Sequence, residues 1–204
     1  MAGFSVIADV GKSIESLLSA CFAEQNPLQK DPMIVKPVPR VVLASTDDFE
    51  KTNVLTKIGS PALSIFLYRV DFNKVMRAAW SAVSLRDGKA HLALDLHYLI
   101  TPWAGNAEDE HLILGAAMQC LETTPIMSGP LLNPSLGWEP GESIQLVLEE
   151  ISTEAVMRTF DSLPTDYRLS VPYIARVIRL DGRQQITAGP VITAITGVTA
   201  GTQP

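Results

Sequence analysis

Apolar side chains recur at helical spacing from the start of the chain: Val6, Ile7, Val10, Ile14, Leu17, Leu18 and Cys21 share one side, with Asp9, Lys12, Glu15 and Ser16 on the other. This predicts an opening amphipathic helix. Residues 25–39 then carry Pro27, Pro32, Pro37 and Pro39, which lack backbone donors, so the segment reads as a loop or an edge strand. A short strand is expected over Val41–Ala44. After the turn-prone Gly59-Ser60-Pro61, the branched and aromatic run Leu63–Val70 predicts a strand that pairs with the one at 91–100.

In the 91–100 strand, Leu92, Leu94, Leu96, Tyr98 and Ile100 fall on one face and His91, Ala93, Asp95 and His97 on the other, the pattern of a half-buried strand. Between the two strands, Lys74–Val83 has helical character, but Arg86-Asp-Gly-Lys89 is a tight-turn signal, so 72–90 reads as an irregular arm. A helix follows at 108–121. Glu108, Asp109 and Glu110 favour its positive end, Pro125 stops it, and Leu114, Ala117, Met118 and Leu121 form its sheet-facing side.

Prolines, glycines and Trp138 mark 124–141 as a long ordered loop suited to reaching a neighbour. Ile144–Leu148 reads as a strand. Ser152 is placed to cap a short helix with Ala155, Val156, Thr159, Phe160 and Leu163 facing inward before Pro164. Val171–Leu180 alternates as a long strand, Asp181-Gly182 signals a hairpin, and Val191–Thr196 is a final candidate strand. The expected fold class is therefore α/β (α+β): a single domain with a mixed, mostly antiparallel sheet, flanking helices and extended loops or arms. Residues 1–183 form the body and 184–204 a C-terminal strand or arm with a flexible, Gly/Thr-rich tail.

Composition narrows the function classes. With 204 residues and 47% apolar side chains, one domain would bury roughly 70% of its unfolded surface. Charged residues are only 19%, below the usual quarter or so of a soluble domain, which points to an oligomer or assembly part. A net charge of −6 argues against nucleic acid as a partner. The local cluster Arg176, Arg179 and Arg183 reads as a solvated strand face. Cys21 and Cys120 each sit in an apolar helical pattern as small hydrophobes, which fits reduced thiols in a reducing cytosol. Charges at Asp9, Lys12 and Glu15 break any signal peptide. The uncharged 184–204 stretch, with its three glycines and two prolines, gives no membrane span.

Asp95 and His97 project the same way from their strand, and His111 is the third candidate for a metal or acid–base site. Three or four convergent ligands are needed, and no second close pair accompanies them, so the preferred reading is structural hydrogen bonding. Gly-rich phosphate loops, nucleophile elbows, His-Glu-x-x-His and Cys-x-x-Cys are all missing, and no cofactor is expected. Trp80, Trp103 and Trp138 fall in loop or arm segments, where a large ring is either pinned to the core or offered to a partner.

The runs "SIESLL", "LSIFLYRVDFNKVMRAAW", "LALDLHYLITPW", "EHLILGAAMQCL" and "LVLEEISTEAVMRTFDSLPTDYRLSVPYIARVIRLDG" together resemble the cap, or tail-terminator, proteins of contractile injection systems of the antifeeding-prophage and virulence-cassette type. Phe160 departs from that pattern, where Trp is expected, and so does the short C-terminal tail. The resemblance implies a structural protein without catalytic residues, a homohexameric ring that binds the baseplate-distal end of an inner tube and contractile sheath and ends their polymerisation. Its partners would be copies of itself and the tube and sheath proteins of a phage-tail-like particle assembled in the bacterial cytoplasm. Candidate subunit-interface residues are Trp80, Trp103, Trp138, Arg176, Arg179, Val191 and Ile195. The competing readings are a cytoplasmic adaptor and a metal-dependent enzyme using Asp95, His97 and His111.

Overall fold

The computed structural model describes residues 3–76, 90–133, 138 and 141–182. Its elements run α1 (Val6–Glu24), β1 (Arg40–Ala44), β2 (Ala62–Phe72), β3 (His91–Trp103), α2 (Ala107–Thr123), β4 (Ile126–Ser128), β5 (Ser143–Leu148), α3 (Thr153–Asp161) and β6 (Val171–Asp181). The strands form one sheet in the order β1-β2-β3-β6-β5-β4. Among the described residues only the β1–β2 pair is parallel. The mixed, mostly antiparallel sheet with packed helices is the architecture expected from the sequence.

One face is closed by α1 and α2. Val10, Ile14, Leu18 and Phe22 of α1 and Ile113, Ala117 and Leu121 of α2 join Leu63, Ile65, Leu96, Tyr98, Ile100, Tyr173 and Ala175 of the central strands in the largest apolar cluster. Gly11 lets α1 approach β1, since a Cβ there would stand 3.0 Å from the Leu43 methyls. Ser13 bridges, donating to the Asp9 carbonyl at 2.7 Å and accepting from the Asn133 amide at 2.8 Å. Asn106 caps α2 by accepting from the Asp109 amide at 2.9 Å, and Ser152 caps α3 by accepting from the Ala155 amide at 3.2 Å.

A disulfide joins Cys21 of α1 to Cys120 of α2 across a separation of 99 residues. This corrects the expectation of two reduced thiols. Each cysteine does sit on the apolar stripe of its helix, but the stripes face each other, so the sulfurs meet.

The opposite face is built in patches. Phe49 packs edge-on to Phe66 with ring centres 5.2 Å apart and beside Trp103 at 5.9 Å; Ile58 and Ala62 complete that cluster. Val156 and Phe160 of α3 cover Leu99. As a result the β3 strand is buried on both faces over most of its length, not half-buried: Ala93, His97, Leu99 and Thr101 are as enclosed as their neighbours. It also runs three residues further than expected, through Pro102 to Trp103. The loop expected at 124–141 contains β4 and a 3-10 turn at Gly129–Leu131. The arm begins helically at Lys74–Met76; residues 77–89 and the candidate strand at 191–196 lie outside the described residues.

Candidate interaction surfaces

The centre of the less covered face is polar. His97, 4% exposed, places Nδ1 2.8 Å from Oε1 of Glu149, beyond the end of β5, and Nε2 3.4 Å from Oδ2 of Asp71. Arg69 ties both carboxylates, with Nη2 3.0 Å from Glu149 and Nε 3.0 Å from Asp71. The Tyr68 hydroxyl donates to the second Glu149 oxygen at 2.8 Å. Burial, and then this bond to a carboxylate, push the Tyr68 hydroxyl well above the usual phenol range. The chemistry here is mutual satisfaction: each charge has an opposite partner, and the cluster joins β2, β3 and the β5–α3 connection.

This cluster answers the catalytic candidates. Asp95 accepts both its bonds from the Asn73 side-chain amide, at 3.1 and 3.0 Å. His97 turns to Glu149, and His111 is exposed on α2. The three do not share a site, and among the described residues no group of three or more His, Cys, Asp and Glu side chains is placed to hold a metal ion. Glu149, Arg69 and Tyr68 were missed from the sequence because Glu149 lies 52 residues from His97 and only the sheet topology brings them together.

The interface candidates divide. Trp103 is the last residue of β3, not a loop residue, and is 3% exposed. Its indole N–H donates to Ser64 Oγ at 2.8 Å and the Arg168 guanidinium lies 4.4 Å over its ring. Trp138 is partly buried against the main core, donating to the Asn133 carbonyl at 2.9 Å. Arg176 is exposed on β6 with Nε 3.3 Å from the Gln145 side chain. Arg179 pairs with Asp181 at 3.0 Å and Glu142 at 3.3 Å. Trp80, Val191 and Ile195 lie outside the described residues.

Large apolar side chains left in solvent concentrate elsewhere. Met33 is 91% exposed, Ile34 60% and Val35 89%, in the proline-bearing loop. Val70 and Phe72 at the end of β2 and Leu92 at the start of β3 are also exposed, and Leu148 and Tyr167 flank a cleft beside α3. Surfaces of this kind mark contacts with other macromolecules. No helix among the described residues is long and apolar enough to cross a membrane.

A solved structure of the sheath/tube terminator, in the extended state, of an extracellular contractile injection system called PVC matches with a TM-score of 0.56 at 19% identity, over 97% of this chain and 64% of that one. The tube-terminating cap of the anti-feeding prophage matches at a TM-score of 0.49 and 16% identity, over 97% and 62%. The chain thus spans less than two thirds of the length of either, and the first likeness shows a shared fold. No curated protein matches the sequence. The model of the family described as the Pvc16 N-terminal domain matches residues 9–194, nearly the whole chain, and the protein belongs to that family.

Proposed function

We propose that this chain is a structural terminator: it assembles into a ring, a homohexamer, on the baseplate-distal end of a contractile particle and stops growth of the inner tube and sheath. The observation that carries the reading is the family match over residues 9–194, supported by the fold shared with a sheath/tube terminator. A growing helical tube presents an unsatisfied head-to-tail interface at its end, and a closed ring complementary to it on one side removes the template for the next layer. No reaction is required. The satisfied cluster around His97 and the apolar surfaces at Met33–Val35 and Leu148 suit a protein that works by contact.

Assembly takes place in the cytoplasm, with tube and sheath proteins as partners. Residues 1–183 form the cap domain, and 184–204 act as an arm toward a neighbouring subunit. Electron microscopy of particles from cells with and without the gene tests the function. Overlong or variable sheaths lacking an end density are expected without it; capped particles of unchanged length would end the reading.

A further inference from the structure

Cys21 stands in the last turn of α1, which ends at Glu24, and Cys120 in the last turn of α2, which ends at Thr123. Their own carbonyls accept the closing bonds of the two helices, from the Gln25 amide at 2.9 Å and the Thr124 amide at 3.1 Å. The bridged sulfurs therefore sit where both helix dipoles are negative. Neither last turn carries a basic residue. A cleft of about 670 Å³ is lined by both cysteines together with Leu17, Ala20, Ala116 and Gln119, and no described Lys, Arg or His lines it. Cys21 is half-buried and Cys120 is 7% exposed, so a small thiol or disulfide reaches the pair through Cys21.

These surroundings are the reverse of those of an exchanging disulfide, whose thiolate is held by a helix N-terminus or a neighbouring cation. Here an attacking thiolate from solvent meets two negative helix ends and Glu24, and a departing cysteine thiolate finds no positive partner. Once closed, the bond is slow to open. The packing around it is complete without it. Ile14, Leu18 and Phe22 of α1 and Ile113, Ala117 and Leu121 of α2 are each at most 1% exposed, so burial alone brings the two helices, and hence the two thiols, together. The chain can fold first and be bridged afterwards.

We infer that the Cys21–Cys120 bond is a maturation lock, closed on the assembled cap by a low-molecular-weight disulfide once the particle meets an oxidising medium. Cytoplasmic assembly, where thiols are kept reduced, and a bridge in the finished fold are consistent in that order. Cys21 Sγ, the more exposed, gives up its proton and attacks one sulfur of the small disulfide, whose S–S bond breaks as the first small thiol leaves with a proton. Cys120 Sγ then attacks the Cys21 sulfur of the mixed disulfide, and the second small thiol leaves with the second proton. Two cysteine thiols are oxidised and one small disulfide is reduced to two thiols. The closed loop holds β1, β2 and β3, which restricts the unfolded chain and leaves the cap harder to unfold outside the cell than while it was being built. This assignment rests on the terminator reading above, which supplies the compartment of assembly.

The test quenches producing cells and released particles in acid, alkylates free thiols with N-ethylmaleimide and weighs the peptides that hold Cys21 and Cys120. Two alkylated thiols are expected in cells and joined peptides in particles, with the joined fraction rising about tenfold or more. Particles built with Cys21→Ser and Cys120→Ser should be capped at wild-type length and lose their caps about tenfold faster on warming. Wild-type particles reduced with a phosphine should do the same, which keeps the test independent of how the variant folds. Capped particles with equal joined fractions inside and outside the cell, or caps lost no faster after reduction, overturn the lock and leave the terminator reading standing. A chain absent from the particles overturns both.

Discussion

The face of the sheet under α1 and α2 and the face around His97 solve the same problem by different means. Under the helices, branched and aromatic side chains from seven elements interlock, and the stabilisation is non-directional burial. Around His97, one histidine, one arginine, two carboxylates and a tyrosine stabilise each other through directed bonds. The first arrangement tolerates repacking but penalises voids; the second tolerates no missing member, because each deletion strands a partner. A chain that must present a defined outline to neighbours benefits from having its most constrained geometry on the side that is least covered.

The largest effect is expected on the helical face. Reduction, or Cys21→Ser with Cys120→Ser, releases a closure spanning 99 residues, worth about 4.7 kcal/mol on the chain-entropy scale; a thermal melt with and without reductant should show a drop of about 10 °C. An unchanged midpoint would mean the helices hold themselves in place. Next, Leu18→Ala, at a fully buried position, should cost about 3 kcal/mol by urea denaturation.

On the polar face, Glu149→Ala leaves Tyr68, Arg69 and His97 short of an acceptor and should cost about 2 kcal/mol, since Arg69 keeps solvent access. A double-mutant cycle with Arg69→Ala should return a positive coupling, and strict additivity would dissolve the contrast between the faces. Smaller still is Tyr98→Phe. Among the described residues its hydroxyl is buried beneath the helices without a hydrogen-bond partner, so removing it should be neutral or stabilise by about 1 kcal/mol.

The smallest effect is acidic. Hydrogen bonding from Lys30 holds the Glu108 carboxyl below its usual range, and bonds from Asn106 and then Lys36 do the same for Asp109. Both carboxylates are ionised in the fold, so their contribution is complete above the ordinary carboxylate pKa of about 4 and fades as pH falls through the lowered values. Amide exchange at residues 30–36 should therefore accelerate at acidic pH before the core strands respond. Equal protection loss in both would show that the loop has no separate bracing.

How legible each part was follows from its range along the chain. Helices α1 and α2, the β2–β3 pairing and the Ser152 cap are local signals, in periodicity and in single capping residues, and they stand where expected. The Cys21–Cys120 bond is invisible to periodicity because a thiol at an apolar position reads as a hydrophobe until a second helix brings another beside it. Trp103 looked like a loop residue because Pro102 ends most strands; here the strand continues, and Trp103 finds Ser64 and Phe49 across the sheet. The Met33–Val35 tip was hidden by its prolines, which announce a loop but not what it displays. The Glu149 cluster depended on β5 lying beside β6, a property of topology alone.

The disulfide has a mechanical consequence. A force drawn along this chain from before Cys21 to beyond Cys120 passes through the sulfur bridge, bypassing everything between. That shunted stretch contains β1, β2 and β3, and at roughly 3.4 Å per extended residue it withholds about 340 Å of contour length from any pull. Strands β1, β2 and β3 therefore carry no tension transmitted along the backbone between those points, and the load path runs from α1 into the last turn of α2.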